Sequence, residues 1–133
     1  MSEQTLVIIK PDGINRRLVG EILQRFERAD LAIVRLEMKS LSAEQLREHY
    51  QHLLERPFFP ELFAYMTEGP VVLLVLEGEQ AITRVRKLVG ATDPLKAEMG
   101  TIRAELGLNT TRNIVHASDS EAAATAEIAR FFG

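Results

Sequence analysis

The chain has 133 residues, 16 Lys+Arg against 19 Asp+Glu, a net charge of −3 and no cysteine. That length suits one domain, 1–133, able to bury roughly two thirds of its unfolded surface, and the missing cysteines exclude a disulfide scaffold, a thiolate zinc site and a cysteine nucleophile. The acidic balance leaves no broad basic field for nucleic acid as main partner, the longest apolar run (Val71 to Leu76) is too short for a membrane span, and no leader pattern opens the chain, so a cytoplasmic setting is expected.

Thr5 to Ile9 is a β-branched run stopped by Lys10-Pro11-Asp12-Gly13, where Pro11 ends ladder bonding and Asp-Gly favours a turn, so a strand is expected to deliver Lys10 to a rim. From Arg16 to Ala29, Leu18, Val19, Ile22, Leu23 and Phe26 recur at three and four, which predicts a helix. Ala32 to Lys39 alternates, with Ala32, Val34, Leu36 and Met38 on one face, as in an edge strand with one wet side. Ser42 and Gln45 predict a capping box opening a helix that stops at Arg56-Pro57. A short helix is expected over Glu61 to Glu68, with Leu62 and Met66 inward. Val71 to Leu76 is apolar on both alternating sets and is placed centrally, with both faces covered.

Glu79 to Val89 returns to helical spacing and Gly90 closes it. Ala91 to Arg112 shows no period, and a loop of that length inside a small domain is usually functional; it carries Thr92, Arg103 and Arg112. Asn113 to His116 reads as a short strand, and Ser118 with Glu121 as a second capping box opening a last helix to Phe132. The order fits an α+β, ferredoxin-like (βαββαβ) plan: a four-stranded antiparallel sheet with helices packed on one face.

Nucleotide-binding loops of the Walker and dinucleotide types are absent, as are the helical zinc motif and the calcium loop. His49 and His52, three apart on a helix without a carboxylate set, read as surface residues rather than a metal pair. His116 ends a strand just before a helix, where a side chain can be both rigid and exposed. On position alone it is either a structural histidine or a nucleophile, since imidazole forms an N–P bond that a second acceptor cleaves. Lys10, Arg86 and Arg103 sit at element edges or in the long loop, with Thr92 nearby, and guanidinium groups offer the bidentate donors that a polyphosphate needs. Arg86 also lies in Arg84-Val85-Arg86-Lys87, most of which reads as a solvated helix face. Phe58-Phe59 is either core or a base-stacking platform, and Tyr50 shares an apolar stripe with Leu46 and Leu53.

Asn113-Ile-Val-His116-Ala-Ser118-Asp119 resembles the signature of nucleoside diphosphate kinases. Ile9-Lys10-Pro11-Asp12-Gly13, His49-Tyr50, Arg56-Pro57-Phe58-Phe59, Glu68-Gly69-Pro70, Gly90-Ala91-Thr92-Asp93-Pro94 and Gly100-Thr101-Ile102-Arg103 match that family in the same order, from Thr5 to Phe132. The resemblance implies ping-pong transfer of a γ-phosphoryl group from nucleoside triphosphates to diphosphates through His116, with broad base tolerance. It implies sugar contacts from Lys10 and Asn113, with Lys10 also near the transferred group, and phosphate contacts from Arg86, Thr92 and Arg103. Phe58 would stack on the base, with Leu62 and Thr110 also in the nucleotide-binding set. Tyr50 would flank the phosphorylated ring, and Glu127 with Ser118 would orient His116. Mg²⁺ would arrive on the nucleotide. Thr110 stands where a Val is common and Leu53 where a His is common. A homo-oligomer built from dimers is expected, using surfaces of the Ala32–Lys39 and Val71–Leu76 strands. A nucleotide-holding module without transfer is the alternative class, and the intact set His116, Arg86 and Arg103 favours the enzyme.

Overall fold

Burial of alternate residues on a central sheet organises the molecule, whose computed structural model describes residues 2–132; Met1 and Gly133, the ends of the expected domain, lie outside the described residues. Strand β1 (Ser2–Ile9) pairs antiparallel with β3 (Val71–Glu79) on one side and β4 (Val115–Ala117) on the other, and β2 (Ala32–Lys39) closes the far edge, giving the order β2-β3-β1-β4. Between them lie helices α1 (Pro11–Asn15), α2 (Val19–Arg28), α3 (Ala43–His49), α4 (Phe59–Thr67), α5 (Ala81–Val89), α6 (Ile102–Leu106) and, last, α7 (Glu121–Phe132). The β1-α2-β2-β3-α5-β4 frame is the ferredoxin-like plan.

Helices cover both faces of the sheet, not one as the plan alone suggested. Val7, Ile9, Val72, Leu74 and Val115 pack against Ile22 and Phe26 of α2, Val85 and Val89 of α5 and Ile102 of α6. Leu6, Ile8, Val71 and Leu73 point the other way, onto Leu46 of α3, Leu62 and Met66 of α4 and Phe131 of α7. The two-sided apolar pattern of Val71 to Leu76 requires this second layer, because a strand with both residue sets apolar leaves no face for water. That strand is therefore covered within the chain and leaves no surface for a partner.

The edge strand departs from simple alternation. Its register slips between Ile33 and Arg35, a bulge at Val34 that changes the phase of the strand. Before the bulge Ile33 faces the α2–α5 layer; after it, Leu36 and Met38, opposite Leu74 and Val72, take that side. Val34, Leu36 and Met38 nevertheless stay 43, 53 and 57% exposed, since the helices do not reach that edge.

Element ends differ from the periodicity at identifiable points. Lys10 to Gly13 continues into the one-turn helix α1 with Pro11 in its first turn, and α2 begins only at Val19. The Ser42–Gln45 capping box is present, but α3 ends at His49 and a 3₁₀ turn (Gln51–Leu53) carries the chain on toward Pro57. The long loop contains α6, opened by the Thr101 hydroxyl accepting from Ala104 N–H at 3.2 Å. At the last helix, Ser120 rather than Ser118 caps, accepting from Ala123 N–H at 3.0 Å. Ser118 is fully buried and turned inward, as described below. No helix among the described residues is long and apolar enough to cross a membrane.

Candidate active site

A cleft of about 580 Å³ opens where the ends of β1 and β4 meet α3, α5, α6 and the start of α4. Because β4 is antiparallel to β1 with His116 opposite Ile8, Val115 and Ala117 face the α2–α5 layer and His116 faces α3 and α7. His116 Nε2 donates to Glu127 Oε1 at 2.9 Å, and the Ser118 hydroxyl donates to the same oxygen at 2.7 Å. Burial raises the pKa of Glu127, but these bonds and the nearby imidazoles outweigh it and hold the carboxyl below its usual range. An ionised carboxylate only accepts, so Nε2 carries the proton of this bond and, in the neutral ring, Nδ1 is the nitrogen with the free lone pair. Nδ1 has no hydrogen-bond partner among the described residues, and the side chain is 22% exposed in the cleft. Ser118 is in turn tied to β1, its hydroxyl accepting from Leu6 N–H at 3.3 Å.

The cations converge on the same cleft. Lys10, at the end of β1, is buried and donates from Nζ to Asn113 Oδ1 at 2.9 Å. Burial first, then the neighbouring Arg103, lower its pKa to about 7, against an opposing pull from Asp12. Asn113 Nδ2 donates to Thr92 O at 3.0 Å and Thr110 O at 3.1 Å, so one amide links three chain segments at the cleft. Arg103 donates to Gly90 O at 3.0 Å and Val115 O at 2.7 Å, and burial followed by the nearby Arg86 lowers its pKa to about 10. Gly90 makes this approach possible: it has φ 92°, and an added Cβ would meet Thr101 Oγ1 at 2.5 Å. Arg86 donates to Ala117 O at 3.2 Å from α5. Ile114, between Asn113 and β4, holds φ 76°, a strained value for a β-branched residue, and its carbonyl accepts Lys10 N–H at 2.7 Å.

The opposite end of the cleft is plainer. Phe58 precedes α4 with 45% of its surface exposed, Leu62 is buried beneath the cleft, and Thr110 is exposed across from them. Tyr50 is buried at the cleft wall, and burial pushes its hydroxyl well above the usual phenol range. All the expected site residues therefore line the cleft except Ser118, which acts from behind Glu127. Arg112 of the long loop turns outward into a bidentate pair with Glu68, at 3.0 and 2.8 Å.

His49 corrects the surface reading. It is buried, its ring meets that of His116 edge-on with centroids 4.6 Å apart, and its Nδ1 accepts from Arg130 at 3.0 Å. Burial, then the adjacent His116, lower its pKa to about 3, so it stands there as a neutral wall. Its place three residues after Leu46, on the buried stripe, was the available signal. His52 is exposed at the rim. The ligand atoms of His49, His116 and Glu127 lie within 4.8 Å of one another. Their bonds to each other and to Arg130, with Lys10 close by, suit an oriented imidazole better than a metal centre.

Comparison with known proteins meets this geometry with a match of residues 3–133 to the family model for nucleoside diphosphate kinase. The chain belongs to the nucleoside diphosphate kinase family. A nucleoside diphosphate kinase of Nocardia farcinica is 53% identical over 133 residues, covering 99% of this chain and 96% of the relative. One of Archaeoglobus fulgidus is 51% identical, covering 98% and 86%. Among solved structures, the Aquifex aeolicus nucleoside diphosphate kinase superposes with TM-score 0.94 at 43% identity, covering 100% of this chain and 96% of that one. The nucleoside diphosphate kinase of Halobacterium salinarum in complex with CDP gives 0.96 at 41%, covering 99% and 88%.

Proposed function

We propose that His116 Nδ1 is the atom that carries the phosphoryl group in this member of the nucleoside diphosphate kinase family, a phosphotransferase acting on nucleoside tri- and diphosphates. In the first half-reaction the Nδ1 lone pair forms the N–P bond as the bond from the γ-phosphorus to the bridging oxygen breaks, and the diphosphate leaves with that electron pair. In the second, a terminal oxygen of another diphosphate attacks the phosphorus and the N–P electrons return to the ring. A loose transition state of this kind needs a positioned nucleophile and charge neutralisation on the transferred oxygens, and little else. Glu127, set by Ser118, orients the ring and balances the charge that Nε2–H bears while the phosphoryl group is bound.

Arg86, Arg103 and Thr92 take the phosphates, Lys10 and Asn113 the sugar hydroxyls, with Lys10 also near the group in flight. Phe58 stacks on the base, with Leu62 and Thr110 beside it, and Tyr50 flanks the phosphorylated ring. The observation that carries this reading is the bonded Nε2 and unpartnered Nδ1 of His116 in a cleft shared with two arginines and a lysine. Mg²⁺ fits as an ion borne by the nucleotide. Glu127 is occupied and Asp119 is an isolated exposed carboxylate, so the cleft side chains make no cage. When bound, the ion would spread phosphate charge.

With γ-labelled ATP, the protein is expected to form an acid-labile, alkali-stable phosphoenzyme that any nucleoside diphosphate discharges, and His116→Ala neither label nor turnover. Exchange retained by His116→Ala would overturn the assignment.

We further infer that residues 1–133 act as one domain in the cytoplasm and form homo-oligomers built from dimers. The exposed edge strand supports the pairing, because Leu36 and Met38 lie beside unpaired backbone and a second copy can cover both. Sedimentation should give a dimer or an assembly of dimers that Leu36→Asp weakens; a monomer at assay concentrations would dismiss it.

A further inference from the structure

Behind the phosphate end of the cleft lies a second group of buried polar side chains that the steps above do not use. Asp12, on α1, is 4% exposed; its Oδ1 accepts from the Tyr65 hydroxyl of α4, and its Oδ2 is buried without a partner among the described residues. Lys10 Nζ lies 5.9 Å from the centroid of the Tyr65 ring, and the Arg112 guanidinium carbon lies 4.8 Å from the same centroid. Gly13 pins the turn that presents Asp12, since a Cβ there would fall 2.7 Å from Ile9 Cγ2.

The groups around Lys10 are unequal in sign. Arg103 of α6 repels it, Arg112 stands across Tyr65, and Arg86 of α5 lies in the same cleft. His49 of α3 is neutral, Tyr50 and Tyr65 are phenols, and Asn113 accepts one proton of Nζ. On the far wall, Glu127 of α7 is engaged with His116 of β4. Asp12, bonded to the Tyr65 hydroxyl while Lys10 Nζ lies by the same ring, is the carboxylate among the described residues that offsets these cations at Lys10.

We propose that Asp12 is a positioning residue that keeps Lys10 protonated for contact with the nucleotide phosphates, the Tyr65 hydroxyl holding the carboxylate in place. The proposal rests on the reading of the cleft as a phosphoryl-transfer site. A buried ammonium has lost hydration and is repelled by Arg103; a carboxylate in the same low-dielectric wall offsets part of this before any substrate binds. Lys10, with a pKa of about 7, stands where such an offset decides its charge near neutrality, and Asp12 is the group that raises it.

The test is the pH dependence of kcat/KM, which reports the free enzyme, in wild type, Asp12→Asn and Tyr65→Phe. Asp12→Asn keeps an acceptor for Tyr65 and removes the charge. The limb that falls as Lys10 loses its proton should move acidward by about one unit, a roughly tenfold loss at pH 8 with little change at pH 6. Tyr65→Phe removes the hydrogen bond and keeps the carboxylate, so Tm should fall while the limb moves by clearly less than in Asp12→Asn. Asp12→Ser gives the same limb shift should Asp12→Asn fail to fold. An unmoved limb without the carboxylate, or one moved equally by Tyr65→Phe, overturns the proposal. A wild type that forms no phosphohistidine instead overturns the reading of the cleft, and is seen before any variant is made.

Discussion

The two ends of the cleft are built differently. At the phosphate end Lys10 and Arg103 are each 6% exposed and Asn113 is 1% exposed, and all three are tied to backbone carbonyls or to one another. At the other end Phe58 is 45% exposed and offers a ring face with no donor or acceptor. Bond making needs atoms held to a fraction of an ångström, which multiple hydrogen bonds in a buried wall supply. A ring face serves any base, because every base has a π-face. On the proposed roles of these residues, rigidity at one end and indifference at the other predict an enzyme exacting about phosphate and lax about base.

Substitutions at the two ends should separate these properties. Arg103→Lys keeps a positive charge but cannot donate to Gly90 O and Val115 O while also reaching a phosphate, so kcat should fall by about a hundredfold with every nucleotide; a loss under about threefold would show that charge alone suffices. Phe58→Ala should do less. KM should rise about five- to tenfold, the lower part of the range for a stacked base since the ring is half exposed, with kcat within about threefold and the increase similar for purines and pyrimidines. A large fall in kcat, or an increase confined to one base, would mean that this end also places the phosphates or reads the base.

Local pattern was enough for most helix faces and the central place of Val71 to Leu76, because each depends on residues within a few places of one another. The last strand, expected over Asn113 to His116 with His116 at its end, is instead Val115–Ala117 with His116 in its middle, since Ile114 at φ 76° turns the chain before the ladder begins. Ser118 shows where it was not enough. With Glu121 it has the spacing of a capping box, yet its hydroxyl is used by Leu6, 112 residues away, and by Glu127, while Ser120 does the capping. His49 read as polar and exposed because its burial depends on β4 and α7 arriving from the other end of the chain. The bulge at Val34 likewise belongs to a pairing with β3, not to the strand's own alternation. The cleft residues themselves were found through motif resemblance, since Lys10, Arg86 and Arg103 taken singly look like any surface cation.

Strand β4 has three residues and is held by three pairs with β1. Only its middle residue projects toward Glu127, so sliding the ribbon by one place would bring Val115 or Ala117 to the carboxylate and turn the imidazole under α5. Misaligned chains would keep much of the same sheet, and spectroscopy of secondary structure would hardly notice them, yet they would be inert. Specific activity per folded molecule therefore falls with misalignment as well as with loss of the Ser118–Glu127 bond, and variants that weaken the pairing of β4 with β1 while leaving Ser118 in place should lower it before they lower the melting point.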